Sequence, residues 1–430
     1  MPDTTIVTHP AIGATDRIIV LAVNDVAIER DLRRILWIQA LRAGLYGFGT
    51  VVLGTVLAAG GLTDPQVGVV FTAMLAGMAI VSILVGVIGD RIGRRRLYAA
   101  LLVTMGLAGG VFALTGSFVV LVLVALTGTL STDANESGPL TSLEQAMIGQ
   151  APVRARAHVF GRYNAVAFLA GAVGALASGG PIFLHRAWPA APSSQRWLLL
   201  FPLVAVVCTV LALRLSPAVD MAESTGRRPL ERSRRTVSTL AALFALDAFA
   251  GGFVVTTFVV FWFERTFGAS PELMSIVVFA GGLIQAGSSL AAARAGTRFG
   301  LLNTMVFTHL PSNVLLIAVP LMPSLGWAVA MLLARFALSQ MDVPTRQAYV
   351  AAMVDPQERT AAAAFTNTAR YLARPFGPLL GGLLMAGVGL GAPFVAAGGL
   401  KCVYDLVLWR MFRSVPLEVG ADSLRTRAQA

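Results

Sequence analysis

Residues 197–213 read WLLLFPLVAVVCTVLAL, with no charged side chain anywhere in the run. In a helix, at about 1.5 Å of rise per residue, that stretch approaches the ~20 apolar residues needed to cross a ~30 Å hydrocarbon core. The same texture recurs at residues 51–60 (VVLGTVLAAG) and 101–114 (LLVTMGLAGGVFAL). Strands of a membrane barrel would instead alternate with period two over segments of about ten residues. Across the chain 56% of residues are hydrophobic and 13% charged, against roughly 25% charged in a soluble domain, and the mean hydropathy is +0.74. There is too little charge to clothe a soluble protein of 430 residues. The sequence therefore predicts an all-α membrane protein with the lipid bilayer as its main partner.

Twelve spans are expected, at residues 35–60, 66–89, 97–115, 118–143, 158–182, 196–214, 237–262, 271–293, 301–321, 324–350, 361–386 and 392–412. The fourth and tenth carry polar residues, in STDANESGPLTSLEQ and SQMDVPTRQ. One set of connections is nearly bare of positive charge (GLTDPQ, TGS, PSL, GVGLGA), whereas the other is loaded (DRIGRRR, APVRARAHVFGR and the Arg227–Arg235 stretch). The positive-inside rule then places both termini and the central loop in the cytoplasm. The expected organisation is a cytoplasmic tail (1–34), a six-helix bundle (35–214), a central loop (215–236), a second bundle (237–412) and a cytoplasmic tail (413–430). The first 34 residues lack the processing pattern of a signal peptide and read as a tail with a short surface-lying segment.

The net charge of +11 is carried almost wholly by arginine, Lys401 being the single lysine. Its position in loops between apolar runs argues for helix orientation and against nucleic acid. Cys208 and Cys402 both lie in apolar runs, so no disulfide framework is implied. The histidines are dispersed, and no P-loop, nucleophile elbow or zinc-protease helix is present, so neither an enzyme nor a bound metal or other cofactor is expected. Arg- and Ala-rich usage suggests a bacterial inner membrane.

The halves echo each other. LEQAMI (143–148) aligns with TRQAYV (345–350) at an offset of about 202 residues, and YNAVAFLAGAVGALASGG aligns with TNTARYLARPFGPLLGG, bringing Asn164 onto Asn367 and Gly174 onto Gly377. Repeats of this kind are found in carriers that alternate access at the repeat interface.

Residues 86–96, GVIGDRIGRRR, lie between the second and third spans. This loop resembles the signature of the major facilitator superfamily: a glycine, three residues, then Asp-Arg-x-Gly-Arg-Arg. AAARAGTRFGLL, in the matching place of the second half, keeps Arg298 and Gly300 but has Thr297 in place of the acid. The resemblance implies two pseudo-symmetric six-helix bundles, transport by alternating access, and a cytoplasmic gating element of Gly86, Asp90, Arg91, Gly93 and Arg94, with Asp90 as the latch. GPLLGG (377–382) is similar to an element of the twelve-helix drug/proton antiporters, although those carry it in the fifth helix, where this chain has Ala175 in place of proline. The helix-four arginine motif of many proton-coupled members is absent. Along that resemblance the expected activity is proton-coupled efflux of a small organic molecule, driven by a proton gradient and carried out by a monomer.

Ionisable groups in a membrane are functional candidates by default. Arg42, Asp133, Glu136, Asp247, Arg335, Asp342, Arg370 and Arg374 all fall within the expected spans. Asp133 and Glu136 share a helical face, so they form either a proton site or a partner for Arg42. Arg335 sits at the repeat offset from Asp133. Asp247 is a candidate for the cavity lining, Arg346 reads as interfacial, and Lys401 and Asp405, four apart, read as a mutual pair. Arg370 and Arg374 place two like charges on one face. A bound anion would answer them, so a carrier of an organic anion or oxyanion is the alternative reading.

Overall fold

The computed structural model describes residues 14–131, 138–148, 153–192, 194–220, 230–354 and 358–415. Among them, nine helical stretches are long and apolar enough to cross a membrane. The three further crossings, the fourth, tenth and eleventh, are helices broken in two, and together these give twelve.

The helices are α1 (Ala14–Ala59), α2 (Asp64–Ile92), α3 (Arg94–Leu114), α4a (Phe118–Ala125), α4b (Pro139–Ile148), α5 (Val153–Ala177) and α6 (Leu200–Leu213). The second half comprises α7a (Arg234–Gly252), α7b (Thr256–Phe267), α8 (Pro271–Phe299), α9 (Leu301–Ala318), α10a (Leu325–Ser339), α10b (Asp342–Ala352), α11a (Arg359–Ala373), α11b (Phe376–Gly387) and α12 (Ala392–Phe412). A short helix, Gly180–Ala187, lies in the connection from α5 to α6. The first helix reaches back to Ala14, so much of the expected tail continues the helix instead of forming a separate surface segment.

Four crossings expected to be continuous are interrupted, and proline chemistry explains two of the breaks. Pro344 has no N–H to offer the carbonyl of Gln340, and α10a gives way to α10b there; Pro378 stands in the same relation to Arg374, where α11a ends. In the fourth helix the chain leaves helical geometry after Ala125, with Gly128 at φ +64°, and α4b begins at Pro139, a residue suited to a helix start. The seventh helix breaks after Gly251 and Gly252. Irregular backbone at membrane depth survives only where protein covers it. Here Gly128 is pressed against the backbone of Gly77 in α2.

Within the first half α1 packs along α5 and α6, and α3 along α6; in the second, α9 packs on α12 and α10a, and α11a on α7a. The α1–α5 crossing has backbone against backbone, because a methyl group at Gly174 would lie 1.8 Å from the carbonyl oxygen of Gly44. Small residues at such crossings give close van der Waals contact where lipid offers no hydrophobic drive. Exposed Leu107, Leu203, Val206 and Leu290 form part of the apolar outer surface, as a lipid-facing wall requires. Trp37 and Trp327 are exposed, whereas Trp262 is buried with its ring 4.7 Å from that of Phe394.

The halves meet at the Arg-poor ends of their helices. Gly54 of α1 abuts Thr257 and Val260 of α7b, Gly68 of α2 meets Pro378 and Gly382 of α11b, and Gly179 meets Ser275 of α8. Arg186–Glu272 (2.9 Å) and Arg265–Asp64 (3.9 Å) bridge the same end. Gly86 of α2 and Gly161 of α5, nearer the Arg-rich end, are exposed.

Candidate functional site

Among the described residues, each half buries an ionic cluster between its first or seventh and fourth or tenth helices, and the two are related by the internal repeat with their charges exchanged. In the first half Arg42 of α1 pairs with Glu144 of α4b, Nη2 to Oε2 at 2.5 Å, both side chains being essentially inaccessible. Arg42 Nε also donates to Glu144 Oε1 (3.3 Å), and Nη2 donates to Thr141 Oγ1 (3.2 Å) and to Gln39. Tyr98 of α3 and Tyr163 of α5 each donate a hydroxyl to Glu144 at 2.5 Å. Every lone-pair direction of this carboxylate is taken, which is what allows an ion pair to persist in so dry a place.

In the second half the acid sits on the seventh helix and the base on the tenth. Asp247 of α7a accepts from Lys401 of α12 (2.5 Å) and from Arg346 of α10b (3.4 Å). Arg370 of α11a lies 3.9 Å from its Oδ2, and His309 Nε2 of α9 lies 3.9 Å from its Oδ1. Arg346 also holds Asp342 at 2.7 Å, one turn away on the same helix. Behind Asp247, His309 Nδ1 lies 3.0 Å from Asp405 Oδ1, and Asn313 Nδ2 donates to Asp405 Oδ2 at 2.9 Å. Three strong cations thus converge on Asp247, and Arg370 is the most weakly held of them. Its Nη1 makes no hydrogen bond among the described residues, and 26% of its side chain stays accessible.

Several expectations change here. Asp133 and Glu136 lie outside the described residues, and the partner of Arg42 is Glu144, brought to α1 by the break in the fourth helix. Arg346 is not interfacial; the break before α10b turns it onto Asp247. Lys401 and Asp405 do not satisfy each other, because Lys401 is spent on α7a and Asp405 on α9. Arg370 and Arg374 are separated in role: Arg370 reaches Asp247, whereas Arg374 stands at the break, its carbonyl oxygen against Gly252. Arg335 of α10a lies over the Phe336 ring, 5.8 Å from its centroid.

Of the loop between α2 and α3, Gly93 takes φ +93°, a conformation that permits an immediate reversal between helices. Arg91 is exposed, Arg94 donates to the carbonyl of Ala146 at 3.4 Å, and the neighbouring Arg95 N–H donates to Asp220 (2.9 Å). Asp90 lies in the last turn of α2, and its side chain is outside the described residues. Among the described residues, no group of three or more His, Cys, Asp or Glu side chains is placed to hold a metal ion.

Glu144 and His309 escaped a reading based on isolated charges, whereas Lys401 and Asp405 were noticed but paired with each other instead of with Asp247 and His309. The signal for Glu144 was present in the repeat, since the LEQAMI/TRQAYV alignment sets it on Arg346. Nothing local marks His309, whose partners lie on two other helices.

A family model described as "Major Facilitator Superfamily" matches residues 36–341 and 240–428. An uncharacterized membrane protein of Saccharomyces cerevisiae is 28% identical, the alignment covering 91% of this chain and 96% of the yeast protein. A hexuronate transporter of Bacillus subtilis is 24% identical, covering 82% of this chain and 87% of its own. The crystal structure of a D-xylose–proton symporter superposes with a TM-score of 0.70 at 17% identity, covering 90% of this chain and 98% of the symporter.

Proposed function

The chain belongs to the major facilitator superfamily and is a transporter of small solutes, not an enzyme; on that premise we propose that its solute is a small organic anion, carried by alternating access between the two halves. The observation that carries this reading is Arg370, a guanidinium in a cation-rich cluster whose Nη1 has no hydrogen-bond partner among the described residues. A carboxylate is the natural complement of such a fork. A cationic solute would need the reverse, an unanswered acid. Glu144, Asp247 and Asp342 are each held by a lysine or arginine, which weighs against efflux of organic cations. The relative named as a hexuronate transporter, whose solute is a sugar acid, is consistent with the anion reading.

In this proposal the Arg-rich face is cytoplasmic. In this reading the halves, joined at the opposite face, admit the solute to the Asp247 cluster from the cytoplasm, and the loop around Asp90 closes against the other half when access is exchanged. The test is counterflow in proteoliposomes with a hexuronate, a neutral pentose, a nucleoside and an organic cation. The hexuronate should exchange, and Arg370→Gln should lower kcat/KM by about 10- to 100-fold, the range for losing a charge-assisted hydrogen bond. Exchange of the cation in place of the anion, or an unaffected Arg370→Gln variant, would remove the basis of the proposal.

A further inference from the structure

Every acid in the second-half cluster except one is held by a lysine or arginine. Asp405 is the exception, since its partners are the Nδ1 of His309 at 3.0 Å and the amide of Asn313 at 2.9 Å. All three side chains are buried. His309 therefore bridges two carboxylates, Asp405 on one ring nitrogen and Asp247, 3.9 Å away, on the other. Imidazole is also the side chain that most readily changes charge across the cellular pH range.

We infer that the His309–Asp405 pair is the proton-binding site that couples a proton to movement of the anion, an inference that rests on the anion reading above. In the unprotonated state Nδ1–H donates to the Asp405 carboxylate, and the Nε2 lone pair faces Asp247. A proton delivered by a hydronium ion binds at Nε2, water leaves, and no other bond is broken. The new positive charge then stands beside Asp247, where Lys401, Arg346 and Arg370 already compete. Arg370, the furthest of these and the one without a hydrogen bond at Nη1, is the cation released to meet a carboxylate. Protonation and anion binding thus favour each other, as reciprocal linkage requires.

The surroundings of His309 are charged on several sides. From α12 it is faced by Asp405, with Lys401, Cys402 and Tyr404 on the same helix; from α7a, by Asp247. From α10b, Arg346 and Asp342 complete the cluster, and α11a adds Arg370 through Asp247. Arg335 belongs to α10a, whose backbone carbonyl at that residue accepts from Ser312 of α9. The arginines of α8, Arg294 and Arg298, are exposed near its Arg-rich end.

The experiment uses the full chain in proteoliposomes with radiolabelled D-glucuronate as the probe, measuring counterflow at equal pH and net uptake driven by an inward proton gradient. Wild type should show both, its apparent KM changing by up to about tenfold per pH unit, the limit for one linked proton. His309→Gln should lose gradient-driven accumulation, and whatever counterflow it keeps should have a KM that no longer varies with pH. Asp405→Asn, which removes the carboxylate that orients Nδ1–H, should move the midpoint of the pH profile, and it decides the matter if His309→Gln fails to yield monodisperse protein. Gradient-driven uptake in His309→Gln equal to wild type, an unmoved profile in Asp405→Asn, or wild-type counterflow indifferent to pH would overturn the coupling inference alone. Absence of any glucuronate counterflow in wild type would overturn the anion reading and this inference with it.

Discussion

Replacing Glu144 by glutamine would leave the Arg42 guanidinium buried without a counter-charge. Both side chains are essentially inaccessible, at 3% for Arg42 and 0% for Glu144, so solvent cannot screen the loss. Breaking a buried pair by deleting one partner costs about 3–5 kcal/mol. At roughly 2–4 °C per kcal/mol for a unit of about 200 residues, the melting temperature should fall on the order of 10 °C. The glutamine carbonyl accepts from one tyrosine, but its amide then confronts the other hydroxyl, because Tyr98 and Tyr163 both donate to Glu144. Arg42→Met/Glu144→Leu removes the stranded charge yet orphans both hydroxyls, at about 1–3 kcal/mol each, and so should recover only part of the loss. Fluorescence-monitored melting of purified protein in detergent reads all three. A Glu144→Gln variant melting within about 2 °C of wild type would show that the cluster does not hold the first half together.

Gly179→Cys/Ser275→Cys should cross-link the halves, because a methyl at Gly179 would lie 2.9 Å from Ser275 Oγ, close to the spacing a disulfide needs; oxidation should stop transport and reductant restore it, and full turnover in the oxidised form would contradict alternating access at this face. Gly174→Ala should destabilise by about 1–3 kcal/mol, since the atoms its methyl meets are backbone and cannot rotate away; an unchanged melting temperature would mean that the α1–α5 crossing is looser than it is here. Glu358, outside the spans, accepts backbone N–H bonds from Glu231, Ser233 and Arg232, which hold its carboxyl down at about 2. Its folded-state value lies below the ordinary 4.5, so the stability it adds is fully present above about pH 4.5 and is lost as pH falls toward about 2. Wild type should therefore melt higher than Glu358→Gln at pH 7, with the gap narrowing in acid; a constant gap would indicate that charge is not what the contact supplies.

Legibility followed the range of the interactions involved. The spans at residues 66–89, 301–321 and 392–412 nearly coincide with α2, with α9 and the 3₁₀ turn that follows it, and with α12, because an apolar run long enough to cross is a local property. The polar insertions STDANESGP and SQMDVP marked the fourth and tenth crossings as unusual, and both proved to be broken helices. Which charge answers which was far less legible. Arg42 and Glu144 are 102 residues apart, and Asp247 and Lys401 are 154 apart. Spacing along one helix suggested Lys401 with Asp405, but an i,i+4 pair on a helix facing two neighbours can be divided between them. The repeat held the better clue, an acid at 144 aligned with a base at 346.

By itself the sequence determined the solvent, the number of crossings and their alternation across the bilayer, because each depends on summed hydropathy and arginine placement over about 20 residues. The tertiary structure alone decided how the buried charges are partnered. In a medium without water every such group must find its complement within the protein, for most of them on another helix, and the breaks in the fourth and tenth helices set which complements come within reach.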